Sequence, residues 1–208
     1  MLSFEGKRVL VTGASRGIGK ACARLFGALG ASVAVHYRTE ADAAERVVAE
    51  LTEIGVAARA FAADLAEWDE GERLVAACEA DLGPLDVVVL NHGIWKSAPI
   101  EAITRAQYEE MMDVNLRGYF SVSAAAARRM KARRKGRMVF LASTAGQRGE
   151  ALHAHYAATK GAVISMTKSL APELAPFNVL VNCVAPGWVA TDMSRETLDS
   201  PEGRAAIF

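Results

Sequence analysis

Cysteine is scarce in this chain: Cys22, Cys78 and Cys183 are the only three in 208 residues. They are odd in number, far apart and never spaced as CxxC, which argues against a disulfide framework or a cysteine-ligated metal and for a reducing compartment. Net charge is lacking as well. The 24 basic and 24 acidic side chains cancel, so no overall field draws the protein to nucleic acid or to an anionic membrane. No apolar run approaches the roughly 18–20 residues that cross a bilayer. The opening MLSFEGKRVLVTG has no basic stretch leading into an apolar signal core. These absences point to a soluble, cytoplasmic protein with no metal site and no nucleic-acid or membrane partner.

What is present suits one sizeable core. Hydrophobic residues make up 51% of the chain, and its length fits a single domain over 1–208. Valine-rich apolar runs recur at 8–13, 32–37, 56–64, 86–91, 137–143 and 178–186. They are apolar on both faces, as parallel strands covered by helices must be. Between them lie alanine-rich stretches at helical spacing, at 17–29, 40–54, 67–82, 104–134 and 152–175. Gly30, Gly55, Gly83 and Gly136 punctuate the joins. The alternation predicts an α/β fold, a doubly wound parallel sheet with right-handed crossovers and helices on both faces.

The first strand runs directly into a glycine turn and a helix, VLVTGASRGIGKACARLFGALG. Gly13, Gly17 and Gly19 let the backbone turn sharply and approach a pyrophosphate, while the new helix directs free N–H groups at the anion. The second strand ends VHYR (35–38), with no acidic residue to take ribose hydroxyls. Arg38 there and Arg16 in the glycine loop suit a 2′-phosphate instead, so NADP(H) is expected as the cofactor over NAD. In an open parallel sheet ligands bind beyond the carboxyl ends of the strands. The remaining runs end on Asp64, Asn91-His92-Gly93, Ser143 and Pro186-Gly187, which predicts one continuous cleft.

Over Lys7 to Met193 the chain resembles the short-chain dehydrogenase/reductase family. The motifs that carry the resemblance are TGASRGIG (12–19), DVNLRG (113–118), Ser143 thirteen positions before YAATK (156–160), and PGWVATDM (186–193). The resemblance implies a Rossmann-type sheet and a catalytic tetrad of Asn115, Ser143, Tyr156 and Lys160. It places the cofactor against Gly13, Ser15, Arg16, Gly17, Ile18 and Gly19 of the loop and against Tyr37, Arg38, Asp64 and Leu65 of the next two strand ends. Asn91, Gly93, Tyr156 and Lys160 follow, with Pro186, Gly187, Val189 and Thr191 at the nicotinamide end. The family's NNAG reads LNHG here (90–93), which changes the local hydrogen bonding. Family members also continue through another helix and a last strand; without them the substrate lid would be incomplete and the sheet would keep an unpaired edge.

HAHYAATK (153–160) holds two histidines beside the tyrosine and lysine, and histidine is the usual proton carrier near neutral pH. Spacing selects Tyr156 instead. Tyr156 and Lys160 are four apart and share a helix face, so an ammonium can stabilise the phenolate. Tyr156 would then exchange a proton with the alcohol oxygen and Ser143 would hydrogen-bond that oxygen, while the family resemblance implies that Asn115 anchors a water connecting Lys160 to solvent. His155 lies about 100° round the helix and faces elsewhere. His153, Trp95 and Trp188 are assigned to the substrate wall, with simple packing as the alternative, and His92 reads as a satisfied structural histidine.

KARRKGR (131–137) ends a long helix, where cations meet the negative dipole end. The resemblance further implies a homodimer or homotetramer paired through the two long helices. The function expected is hydride exchange between NADP(H) and a carbonyl or secondary alcohol. The arginines look most like the 3-oxoacyl-(acyl-carrier-protein) reductase-like branch, with an acyl-carrier or small-molecule carbonyl substrate. Sugar, steroid and small-ketone substrates stay open, as does a nucleotide-binding module without turnover.

Overall fold

The computed structural model describes residues 2–207. Six strands form one parallel sheet: β1 (Arg8–Val11), β2 (Ser32–Tyr37), β3 (Ala58–Ala62), β4 (Val87–Leu90), β5 (Gly136–Leu141) and β6 (Val179–Val184), in the order β3-β2-β1-β4-β5-β6. The strand order reverses between β1 and β4, which opens a crevice at their carboxyl ends. This is the doubly wound, Rossmann-type sheet expected.

Alternation along the central strands explains why they are valine-rich. Val9, Val11, Val87 and Val89 face one layer with Ala23 of α1 (Gly17–Ala28) and Ala44, Val47 and Leu51 of α2 (Ala41–Glu53). Leu10, Val88 and Leu90 face the other layer, against α3 (Trp68–Leu82), α5 (Gly118–Arg133) and α7 (Ala154–Leu174). Both faces are dry, so a polar side chain at an inner strand position must find its own partner.

The expected 104–134 helix is two helices. α4 (Arg105–Met112) gives way to a π-turn over Asp113–Arg117 before α5 begins. The wide turn keeps the helical axis running but swings Asn115 inward, and such turns recur at functional sites. α7 starts at Ala154, with His153 at its N-cap. Three short helices fall outside the expected pattern: α6 (Ala145–Arg148), α8 (Arg195–Asp199) and α9 (Pro201–Ile207). Among the described residues β6 pairs only with β5 and ends the sheet.

The basic run 131–137 is absorbed by the fold. Arg133 pairs with Glu79 and Lys135 with Asp86, while Lys131 and Arg134 lie over the Phe177 ring.

Candidate active site

A cleft of about 1000 Å³ runs along the carboxyl ends of the strands. At its β1 end the chain turns through Gly13 (φ +62°), and the glycine turn is fastened on both sides. Asn91 Nδ2 donates to the carbonyls of Thr12 and Gly13, both at 3.1 Å, and the Asn91 amide donates to Thr12 Oγ1 at 2.8 Å. Gly19 packs where no side chain fits: a Cβ there would lie 2.2 Å from the Gly13 carbonyl oxygen. Arg16, the α1 N-cap residue, makes no side-chain cap, so the free amides of the first turn point out of the fold. Lys20 and Arg24 on α1 pair with Glu50, whereas Arg16 and Arg38 reach the cleft with no ion pair among the described residues.

Of the predicted cofactor residues, those of the glycine loop, Tyr37, Arg38, Asp64, Leu65, Asn91 and Gly93 border this half of the cleft, Gly19 excepted. Gly19 lies behind the wall. Pro186, Gly187, Val189 and Thr191 border the cleft as well; the Thr144 amide donates to Pro186 O at 3.0 Å, and the Thr191 side chain returns to the glycine turn, where a Cβ on Gly17 would lie 3.5 Å from its methyl. Ser194, buried and absent from the sequence reading, holds that loop by accepting from the Thr191 amide at 3.1 Å.

Ser143, Tyr156 and Lys160 line one wall of the same cleft. Asn115 stands behind it, fully buried. Its Oδ1 accepts from the Ile94 amide at 2.7 Å and its Nδ2 donates to Ile94 O at 2.8 Å. The Asn115 side chain therefore locks the chain after β4, and a water held here would have to use main-chain atoms. Lys160 Nζ donates to Leu141 O at 2.9 Å and lies 3.5 Å from Tyr119 Oη, whose hydroxyl donates to the same carbonyl. Nothing in the sequence pattern marked Tyr119, which packs under the lysine as well (Nζ 5.1 Å from its ring centroid).

Burial dominates the titration of both groups. It lowers Lys160 to about 8 and raises the Tyr156 phenol, against a hydrogen bond to Ser143 that acts the other way. The expectation that the Lys160 ammonium lowers the phenol is corrected among the protein's own groups: burial raises it, and the ammonium is directed at Leu141 O, 5.9 Å from the Tyr156 ring centroid.

Each histidine has a distinct place. His155 is buried on the opposite side, beside Ile103 and Tyr108. His153 shares Nδ1 with Ala151 O at 2.8 Å, and its ring stacks on Trp95 at 4.4 Å and 5°. Trp188 meets Trp95 edge-on at 5.5 Å, so the three candidate substrate residues form one aromatic cluster bordering the cleft. His92 is only half satisfied. Its Nδ1 pairs with Thr12 Oγ1 at 2.8 Å, but Nε2 is buried without a partner among the described residues, and burial holds its pKa far below the ordinary value.

The model of the short chain dehydrogenase family matches residues 7–202. A 3-oxoacyl-[acyl-carrier-protein] reductase from Synechocystis is 38% identical over 201 residues, 97% of this chain and 81% of that protein. Two solved structures superpose with TM-scores of 0.91 at 33% identity. One is a gluconate 5-dehydrogenase from Burkholderia cenocepacia in complex with NADP and tartrate, covering 97% of this chain and 79% of that one. The other is a 3-oxoacyl (acyl-carrier-protein) reductase from Agrobacterium tumefaciens with NADP bound, covering 98% and 78%.

Proposed function

Since the chain belongs to the short-chain dehydrogenase family, we propose that it reduces a carbonyl group, or oxidises the matching secondary alcohol, with NADP(H), and that residues 1–208 form one binding and catalytic domain. The observation that carries this reading is the meeting of Ser143, Tyr156 and Lys160 on one wall of the cleft that the glycine turn opens.

The residues present fit the cofactor. The uncapped α1 N-terminus and the close packing at Gly19 leave room and N–H donors for a pyrophosphate. Arg16 and Arg38 supply two guanidinium groups for a 2′-phosphate; β2 itself ends on Tyr37 with no carboxylate, and the first one after it, Glu40 at the α2 N-cap, also borders the cleft. NADP(H), when bound, supplies or accepts the hydride. Tyr156 holds the proton that the alcohol oxygen gains in reduction and loses in oxidation. Ser143 steadies that oxygen through its hydroxyl, and Lys160, held by Leu141 O and Tyr119, keeps its ammonium on the same wall, 5.9 Å from the Tyr156 ring centroid. Asn115 keeps the 94–95 segment in place, so that Trp95 can shape the substrate wall.

The preferred substrate is a 3-oxoacyl thioester, with sugar-derived and small ketones as the alternative. We read Tyr108 on α4 and Phe120 on α5, both exposed, as part of a face that joins a second copy. Among the described residues no helix is long and apolar enough to cross a membrane, and we place the protein in the cytoplasm. Incubating the purified protein with NADPH and a panel of 3-oxoacyl thioesters and simple ketones tests the reading. Oxidation of NADPH on at least one carbonyl is expected; binding without oxidation across the panel would favour a module without turnover.

A further inference from the structure

A histidine sits inside the sheet, on a strand whose preceding positions are apolar and buried. His36 is the fifth residue of β2, is 2% exposed, and is flanked along the strand by buried Val33, Ala34 and Val35. Both of its ring nitrogens are engaged. The Gly13 amide donates to Nδ1 at 2.9 Å, so Nδ1 carries no proton. Nε2 lies 3.1 Å from the Ala63 carbonyl, which can only accept, so Nε2 carries the proton. The His36 main-chain carbonyl also accepts from the Ala14 amide at 2.8 Å. One residue thereby takes two consecutive amides of the glycine turn and ties them to the end of β3, just before Asp64.

We propose that His36 is a positioning residue for NADP(H): its neutral, Nε2-protonated ring holds the Gly13 turn against the ends of β2 and β3 and so fixes the adenosine half of the cleft. The inference rests on the cofactor reading above and extends it to a residue that borders the cleft but is not among the predicted cofactor contacts. The bonds on the glycine turn explain why a polar ring is retained in a dry sheet, since an apolar residue of similar size would strand the Gly13 amide. Surrounding charges do not disturb the neutral form. Asp64 and Glu70 favour the cation and Arg73 opposes it, while burial outweighs them all and brings the pKa down to about 4. His92, whose ring centroid is 6.3 Å away, is itself buried and neutral.

The two bonds can be separated by side-chain length. His36→Asn places an amide oxygen near the site of Nδ1 and keeps an acceptor for Gly13, whereas His36→Gln reaches toward Ala63 and leaves the Gly13 amide bare. NADPH titrations followed by nucleotide fluorescence, with thermal melts of each variant, compare them. We expect the Gln variant to raise the NADPH Kd and KM about tenfold, with kcat at saturating NADPH within about twofold of the unaltered protein. The Asn variant should recover to within about threefold of the unaltered Kd. A folded Gln variant that binds NADPH as tightly as the unaltered protein, or an Asn variant no better than Gln, would overturn the proposal while leaving the cofactor reading intact. Failure of the unaltered protein to bind NADPH would overturn both.

Discussion

At the glycine-turn end of the cleft the joints are hydrogen bonds and one close glycine contact. Asn91 grips Thr12 and Gly13, His36 grips Gly13 and lies against Ala63, and Gly19 seats on the Gly13 carbonyl. At the other end Trp95, His153 and Trp188 meet through ring faces and edges, and the loop bearing Trp188 is held by Ser194. Directional bonds tolerate no change of shape, so the first end suits one constant ligand. Aromatic packing is adaptable and contributes mainly area, which suits an end that takes more than one shape of ligand.

Changes at the two ends should therefore separate NADPH affinity from substrate affinity. The largest effect is expected from Gly19→Ala, whose methyl would collide with the Gly13 backbone and Asn91. Overpacking of this kind costs about 1–3 kcal/mol, so NADPH Kd should rise on the order of tenfold or more. Calorimetric titration would show it, and an unchanged Kd would mean the turn yields freely. Arg38→Ala should lower the NADPH-over-NADH preference about tenfold while NADH kinetics stay put, as loss of a charge-assisted phosphate contact requires. Trp188→Ala should raise the KM of the best carbonyl substrate about two- to tenfold through loss of one aromatic contact, leaving NADPH Kd unaltered.

A separate effect, removed from both ligand affinities, falls on stability. His36 and Lys160 are both buried cations-in-waiting, with folded pKa values of about 4 and about 8 against ordinary values of 6.5 and 10.5. Between each pair of values the unfolded chain binds more protons than the folded one, so stability rises with pH from about 4 to 6.5 and again from about 8 to 10.5. Lys160→Met removes the upper window. In the cofactor-free protein its melting temperature should exceed that of the unaltered chain at pH 7, and the two should converge as pH passes 10.

Much of this was legible in the sequence. All six strands overlap the apolar runs; the pattern is clearest in β1, β2 and β4, which are dry on both faces, and faintest in edge strand β3, whose ARAFA holds no valine and no buried residue. The cleft was legible because strand ends in such a sheet share a rim. What escaped notice depends on contacts between distant residues. No glycine or proline precedes Asn115 to announce the π-turn, which follows from its bonds to Ile94, 21 residues away. Tyr119 looks like one more core aromatic until Leu141 O and Lys160 are brought beside it. His36 was passed over in favour of Tyr37 and Arg38, since its partners lie 23 and 27 residues distant. The shared helix face of Tyr156 and Lys160 was legible in their spacing, but the direction of their pKa shifts was not, since burial acts on both more strongly than their sequence neighbours suggest.

The central claim is that Tyr156, and no histidine, moves the proton. Tyr156→Phe measured under single-turnover conditions, with NADPH prebound and the best carbonyl substrate added, tests it most directly. NADPH should bind with unchanged Kd while its oxidation slows by about 10²–10⁴-fold, the range of a lost general acid. Oxidation at close to the unaltered rate would contradict the account and transfer the proton to another group, with His153 the first to suspect.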